Sequence, residues 1–225
     1  MAVKKMVDNW KSKSWYNVLA PKFLNEAEVS QVPAMDEARL INRVIIVPLR
    51  DITKDVAHLY TNIHLRVSEV KGKTAYTKFI GHEVAREYVQ TMVRRGREKL
   101  DVVFPTVSKD GVEFSIKAIV ITEFRCSAAK KTAVRNALKA FLDEKARSEE
   151  FGRFILSVLY GKAANEAGAK IRKIVPIRRV EIRKTQLKEL FDTDKVPEPE
   201  AEVSAVPAEQ AATASETAPV EAVQS

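Results

Sequence analysis

The sequence predicts an α+β protein: a mostly antiparallel, curved sheet or small β-barrel flanked by helices, with an extended basic N-terminal arm and a disordered acidic C-terminal tail. Three observations lead there. Stretches of strand character joined by short turns dominate residues 39–120, two helix-period stretches follow one another, and a β-branched stretch closes the series. The charge also divides unevenly. Residues 192–225 hold eight acidic side chains and one lysine, a net of −7, so the whole chain's +8 leaves +15 on residues 1–191. The expected division is therefore an arm and linker over 1–38, a body over 39–191 and a tail over 192–225.

The elements follow in order. Residues 8–23, DNWKSKSWYNVLAPKF, hold both tryptophans between lysines and show neither a helical nor a strand period. They read as an arm, with Pro21 and Pro33 as breakers of the linker behind it. Residues 39–49, RLINRVIIVPL, are apolar and β-branched and predict a buried strand. Ile63, Leu65 and Val67 alternate, a turn falls at Lys71-Gly72-Lys73, and TAYTKFI returns, which is a hairpin signal. Val84, Ala85, Tyr88, Val89, Met92 and Val93 then recur at helical spacing and predict a helix over 81–96 capped by Gly96.

Residues 99–108 look extended, and Pro105 places them at an edge or a bulge. Asp110-Gly111 is a turn whose residues both tolerate positive φ. Phe114, Ile116, Ala118 and Val120 alternate with polar side chains beyond it, a half-buried strand. Helices are predicted over 127–147, with Val134, Leu138, Phe141 and Leu142 as its stripe, and from Ser148, with Phe151, Phe154, Ile155, Val158 and Leu159. A strand over 171–183 and a short helix close the body. In that strand Val180 and Ile182 point to the core, and Arg179, Glu181 and Arg183 point away. From Pro197 the chain has no aromatic residue and no glycine, and it cannot bury enough surface to offset its ordering entropy.

With 45% hydrophobic residues the body can bury a core. Cys126 is the single cysteine, which excludes an intramolecular disulfide and fits a reducing compartment. No run of about 18 apolar residues is present to span a bilayer. A cytoplasmic protein without a membrane partner is expected. The motifs of enzymes are near-misses. HEVAR at residues 82–86 lacks the second histidine of a zinc helix, with Arg86 in its place. Gly161-Lys162 has Leu156 where a phosphate loop needs glycine. His58 and His64 lack a third ligand, and Cys126 is a lone thiol. No catalytic residue, metal ligand or cofactor is predicted.

A body this basic implies a polyanion beside it, nucleic acid first. Lysines 4, 5, 11, 13 and 22 lie on the arm. The first predicted helix ends in Arg94, Arg95, Arg97 and Lys99, and Lys131, Arg135 and Lys139 form a helical stripe as easily explained by solvation. Arg172, Lys173, Arg178, Arg179, Arg183, Lys184 and Lys188 close the body. Guanidinium groups suit phosphate and aromatic rings suit bases. The candidate RNA-binding residues are Lys11, Lys13, Arg94, Arg95, Arg178, Arg179, Arg183 and Lys184. Trp10, Trp15 and Tyr16 are candidate packing anchors of the arm, at least one of them folding back on the body.

WKSKSWYNVLAP, FIGHEVAREYVQTMVRRG, the Asp110-Gly111 hairpin and IRKIVPIRRVEIRKTQL together resemble the archaeal and eukaryotic small-subunit ribosomal proteins of the S-three-a-e family, colinearly over residues 3–190. The short arm resembles the archaeal type. The resemblance implies a non-enzymatic constituent of the small ribosomal subunit, a monomer within it. It implies a place on the platform near the rRNA 3′ end and the mRNA exit, with small-subunit rRNA and neighbouring ribosomal proteins as partners. The alternative is a free-standing nucleic-acid enzyme or RNA chaperone with a non-local site.

Overall fold

The structure, a computed structural model, describes residues 10–188. Among them eight strands form one open sheet accompanied by five α-helices. In chain order they are β1 (Ser14–Leu19), β2 (Glu28–Ala34), β3 (Val44–Pro48), α1 (Leu49–Thr53), β4 (Thr61–Lys71), β5 (Thr74–Val84), α2 (Arg86–Met92), β6 (Lys99–Val107), β7 (Glu113–Thr122), α3 (Ala128–Ser148), α4 (Phe151–Leu159), α5 (Lys162–Ile171) and β8 (Ile177–Leu187). The α+β class is as expected. The sheet does not close, because β2, β3 and β6 each pair with one neighbour only.

The sheet branches at β5. Along one side β5 pairs antiparallel with β4, from Thr74 opposite Lys71 to Val84 opposite Thr61. Its other side is shared. The first residues pair parallel with β1 and the last, Gly81–Glu83, pair antiparallel with β8. The second junction is tight. A Cβ at Gly81 would overlap the carbonyl oxygen of Thr185, so only glycine lets the two backbones approach this closely. His82, 2% exposed, locks the junction from within. Its Nε2–H donates to the carbonyl of Ile182 at 3.0 Å, and its Nδ1 accepts from the Thr185 hydroxyl at 2.6 Å. Burial holds the imidazole well below its ordinary range, at a pKa of about 4, so it is neutral.

One face of the sheet is covered by α3, α4 and α5. Phe104, Phe114, Ile116, Val120, Val180 and Ile182 meet Val134, Leu138, Leu142, Phe154, Ile155 and Ile171 in the main core. Phe114 contacts the rings of Phe151 and Phe154 at centroid distances of 5.4 and 5.5 Å. Polar ties hold the helices down. Thr106 donates to Asp143 at 2.6 Å, and Asp110 accepts from the Phe151 N–H at 2.8 Å, so the turn between β6 and β7 caps α4. On the opposite face, among the described residues, α2 covers one end and sets Val89 against Ile119 and Ile121. This second cover buries both faces of β7 beyond Ala118, where simple alternation predicts one.

Several sequence expectations are corrected. Residues 14–34 are not arm and linker but strands β1 and β2, paired from Ser14 opposite Ala34 to Leu19 opposite Glu28. The period is present but short: Tyr16, Val18 and Ala20 are buried, and the intervening side chains are not. Residues 39–49 are not a buried strand. β3 is an edge strand, with Ile46 60% exposed. The helix predicted over 81–96 starts only at Arg86, because Gly81–Val84 continue β5 between β4 and β8. Gly96 has a positive φ but lies in the following loop, not at the helix end. An unpredicted helix, α5, covers residues 162–171, and a turn follows it, so the last strand starts at Ile177 and not at Ile171. That strand runs on to Leu187, past the point where a short helix was expected, and the tail lies outside the described residues.

Candidate nucleic-acid interface

The basic side chains that matter sit where strands end. β8 enters the sheet at Ile177 directly after the turn that follows α5. Its pairing with β7 slips twice, leaving Arg178 as an extra residue between Ile177 and Arg179 and Arg183 as an extra residue between Ile182 and Lys184. Bulges re-aim side chains. Here they let four basic residues interrupt a strand without turning Val180 or Ile182 out of the core, where both remain, as the sequence predicts.

Arg178 and Arg179 are brought together with the loop between α2 and β6. Arg94, Arg97, Arg178 and Arg179 line one small pocket with Thr91, Met92 and Ile121. Arg94 and Arg95 are exposed, whereas Arg97 is half-buried and its Nη1 has no hydrogen-bond partner among the described residues. Sequence reasoning placed Arg97 in its cluster without selecting it. The unsatisfied donor is visible only once the loop is folded.

The candidates differ in what already neutralises them. Arg178 is exposed and makes no ion pair among the described residues. Arg179 bonds Glu181 at 2.6 Å and lies 5.3 Å from the Tyr88 ring centre. Partial burial works against its charge, but the bond to Glu181 and that carboxylate's charge outweigh it and raise the pKa. Lys184 bonds Glu83 at 3.1 Å, with His64 4.0 Å from the same oxygen. Partial burial works to raise the pKa of Glu83, and Lys184, His64 and Arg183 outweigh it, so the net shift is downward. Arg183 is half-buried. Lys131, from the helical stripe, is bound to Glu98 at 2.9 Å.

Lys11 and Lys13 are exposed and lie elsewhere. They precede β1, which pairs with the first residues of β5, whereas β8 pairs with the last, so they mark the far end of the strand direction from Arg178. Trp10 and Trp15 stay on the surface, 60% and 53% exposed, in edge-to-face contact at 6.3 Å. The Lys13 ammonium lies 4.8 Å from the Trp10 ring centre. Tyr16 is the ring that folds back. It packs with Val18, Val32, Leu40 and Val67 in a second core beneath β1 and β2.

Among the described residues no group of three or more His, Cys, Asp or Glu side chains could hold a metal, and no helix is long and apolar enough to cross a membrane. Fold and surface together define an α+β protein that gathers arginines from separate elements, Arg94 and Arg97 from the loop after α2 and Arg178 and Arg179 from β8. A family model described as the Ribosomal S3Ae family matches residues 1–189, and the chain belongs to that family. Similar proteins include archaeal ones. Those of Saccharolobus islandicus and Saccharolobus solfataricus, both named small ribosomal subunit protein eS1, are 34% identical over 180 residues, covering 80% of this chain and 86% of theirs. The protein of that name from Sulfurisphaera tokodaii is 33% identical, with 93% of its length covered.

Proposed function

We propose that this chain is a structural, non-catalytic constituent of the small ribosomal subunit that binds rRNA through its basic surface. Its place would be on the platform near the rRNA 3′ end and the mRNA exit, as a single copy beside other small-subunit proteins. The observation that carries the proposal is family membership across residues 1–189. The gathering of Arg94, Arg97, Arg178 and Arg179 supplies the physical support. Binding would proceed by neutralising phosphates and releasing their counterions, with few base-specific contacts. Arg94, Arg95, Arg178 and Arg183 would contribute most. Arg179 and Lys184 would first share their charge with Glu181 and Glu83. Lys11 and Lys13, with Trp10 and Trp15, would form a separate contact at the other end, and Tyr16 would hold that end to the body.

The test is co-sedimentation of the native protein in a cell extract. Stoichiometric migration with small subunits at moderate salt, lost at high salt, is the expected result. A protein that stays in the soluble fraction would favour the free-standing enzyme or chaperone.

A further inference from the structure

A cleft of about 460 Å³ opens on the other side of Arg178 and Arg179. Its size lies within the roughly 300–1,000 Å³ that small-molecule sites occupy. It lies between the helical turn before β4, the end of β5 with the start of α2, the junction of α4 with α5, and the start of β8. Its lining is unusual for a structural crevice. Tyr60, Tyr88, Tyr160 and His58 bring aromatic rings from separate elements, and Arg172 and Arg178 add guanidinium groups. Tyr60 and Tyr160 are 46% and 50% exposed. Neither arginine makes an ion pair among the described residues.

The rings are already ordered. Tyr60 stacks on Tyr88 at 4.8 Å with 15° between their planes, and Tyr160 meets His58 edge-on at 5.5 Å. Such a stack prolongs naturally by one more flat ring, and a nucleobase is flat and aromatic on both faces. Phosphates on either side of that base would meet the arginines. A double helix cannot enter, because its bases are paired and stacked inside it. An unpaired nucleotide can.

We propose that this cleft receives an unpaired nucleotide of RNA, its base stacked against Tyr60 or Tyr160 and its phosphate held by Arg172 or Arg178. The proposal rests on the RNA-binding reading above and adds to it a selectivity for single-stranded RNA at one place. The arginines around Arg94 would not distinguish paired from unpaired RNA, whereas the tyrosine cleft would.

The test uses the full chain and three fluorescent probes at fixed salt: a short single-stranded RNA, its abasic counterpart and a short RNA duplex. Tyr160→Ala should weaken the single strand about tenfold and leave the duplex and the abasic strand unchanged. Tyr160→Phe should behave as the parent protein, since it keeps the ring. Tyr60→Ala supplies an independent second variant. Equal loss on duplex and single strand in either variant, or no loss on the single strand in both Tyr160→Ala and Tyr60→Ala, would overturn the cleft proposal. Unchanged RNA affinity with loss from small subunits would assign the cleft to a neighbouring protein and also overturn it. Failure of the parent protein to bind any of the probes, with no co-sedimentation, would instead remove the RNA-binding reading itself.

Discussion

On β7 the side chains of Phe114 and Ile116 enter the core under the helices, whereas those of Ser115 and Lys117, one residue on, leave the sheet on the opposite face. β8 repeats the contrast with Val180 and Ile182 against Arg179 and Glu181. The helix-covered face holds the stabilising apolar area; the other is only partly roofed by α2 and carries charge. A protein that binds a polyanion needs this division, because cations cannot be buried cheaply and apolar side chains gain little from being exposed. Substitutions on the two faces should therefore separate stability from binding.

The largest effect belongs to the covered face. Phe114→Ala should lower unfolding free energy by about 3–5 kcal/mol in urea titrations, without altering the salt dependence of RNA binding in the protein that remains folded. A smaller loss would mean that the helices rest on this face less firmly than their packing indicates.

The buried junction beneath β5 and β8 should respond to acid. The folded pKa of His82, about 4, lies below the ordinary 6.5. Above pH 6.5 both folded and unfolded chains hold it neutral and no penalty arises. As pH falls from 6.5 towards 4 the unfolded chain takes up a proton that the folded chain refuses, so stability declines by about 3 kcal/mol across that window. The direct check is an NMR titration of the His82 ring. A midpoint near 6.5 would show the imidazole to be solvated and the junction loose.

The first strand repeats the comparison in two adjacent residues. Tyr16→Ala should cost about 3 kcal/mol, as loss of a buried ring does, and Trp15→Ala under about 1 kcal/mol. Comparable losses in thermal melts would mean that Trp15 is core after all. Smaller still is Lys184→Ala. It breaks an ion pair that is about a third exposed and should cost under about 1 kcal/mol.

What was legible in the sequence was local. The Asp110-Gly111 turn, the hairpin around Gly72, the stripe of α3 and the core register of Val180 and Ile182 all follow from spacing within one element, and each is found. What was missed depends on partners distant in sequence. β1 is a strand because β2 and β5 pair with it, and its Tyr16–Val18–Ala20 alternation is too short to show against the surrounding lysines. Gly81–Val84 are strand because β4 and β8 hold them, although the side chains that follow suggest a helix. α5 has alanines where a core stripe would show larger residues. Its small side chains suit a close approach, with Gly168 facing Val180. The candidate interface was half legible: both arginine clusters stand out in the sequence, but their convergence at one pocket and the tyrosine cleft beside it are products of the fold.

On the proposed function, arginines at the start of β8 contact RNA phosphate while the strand's other side chains hold the fold. Arg178→Ala tests it most directly, because this side chain is exposed, is not ion-paired among the described residues and lies between the two pockets. Affinity for an rRNA fragment is measured across a range of salt concentrations, alongside the melting temperature. The expected result is weaker binding at every salt concentration, a log–log slope shallower by about one unit, and an unchanged melting temperature. An unchanged slope with a markedly lower melting temperature would show that Arg178 serves the fold and not the RNA.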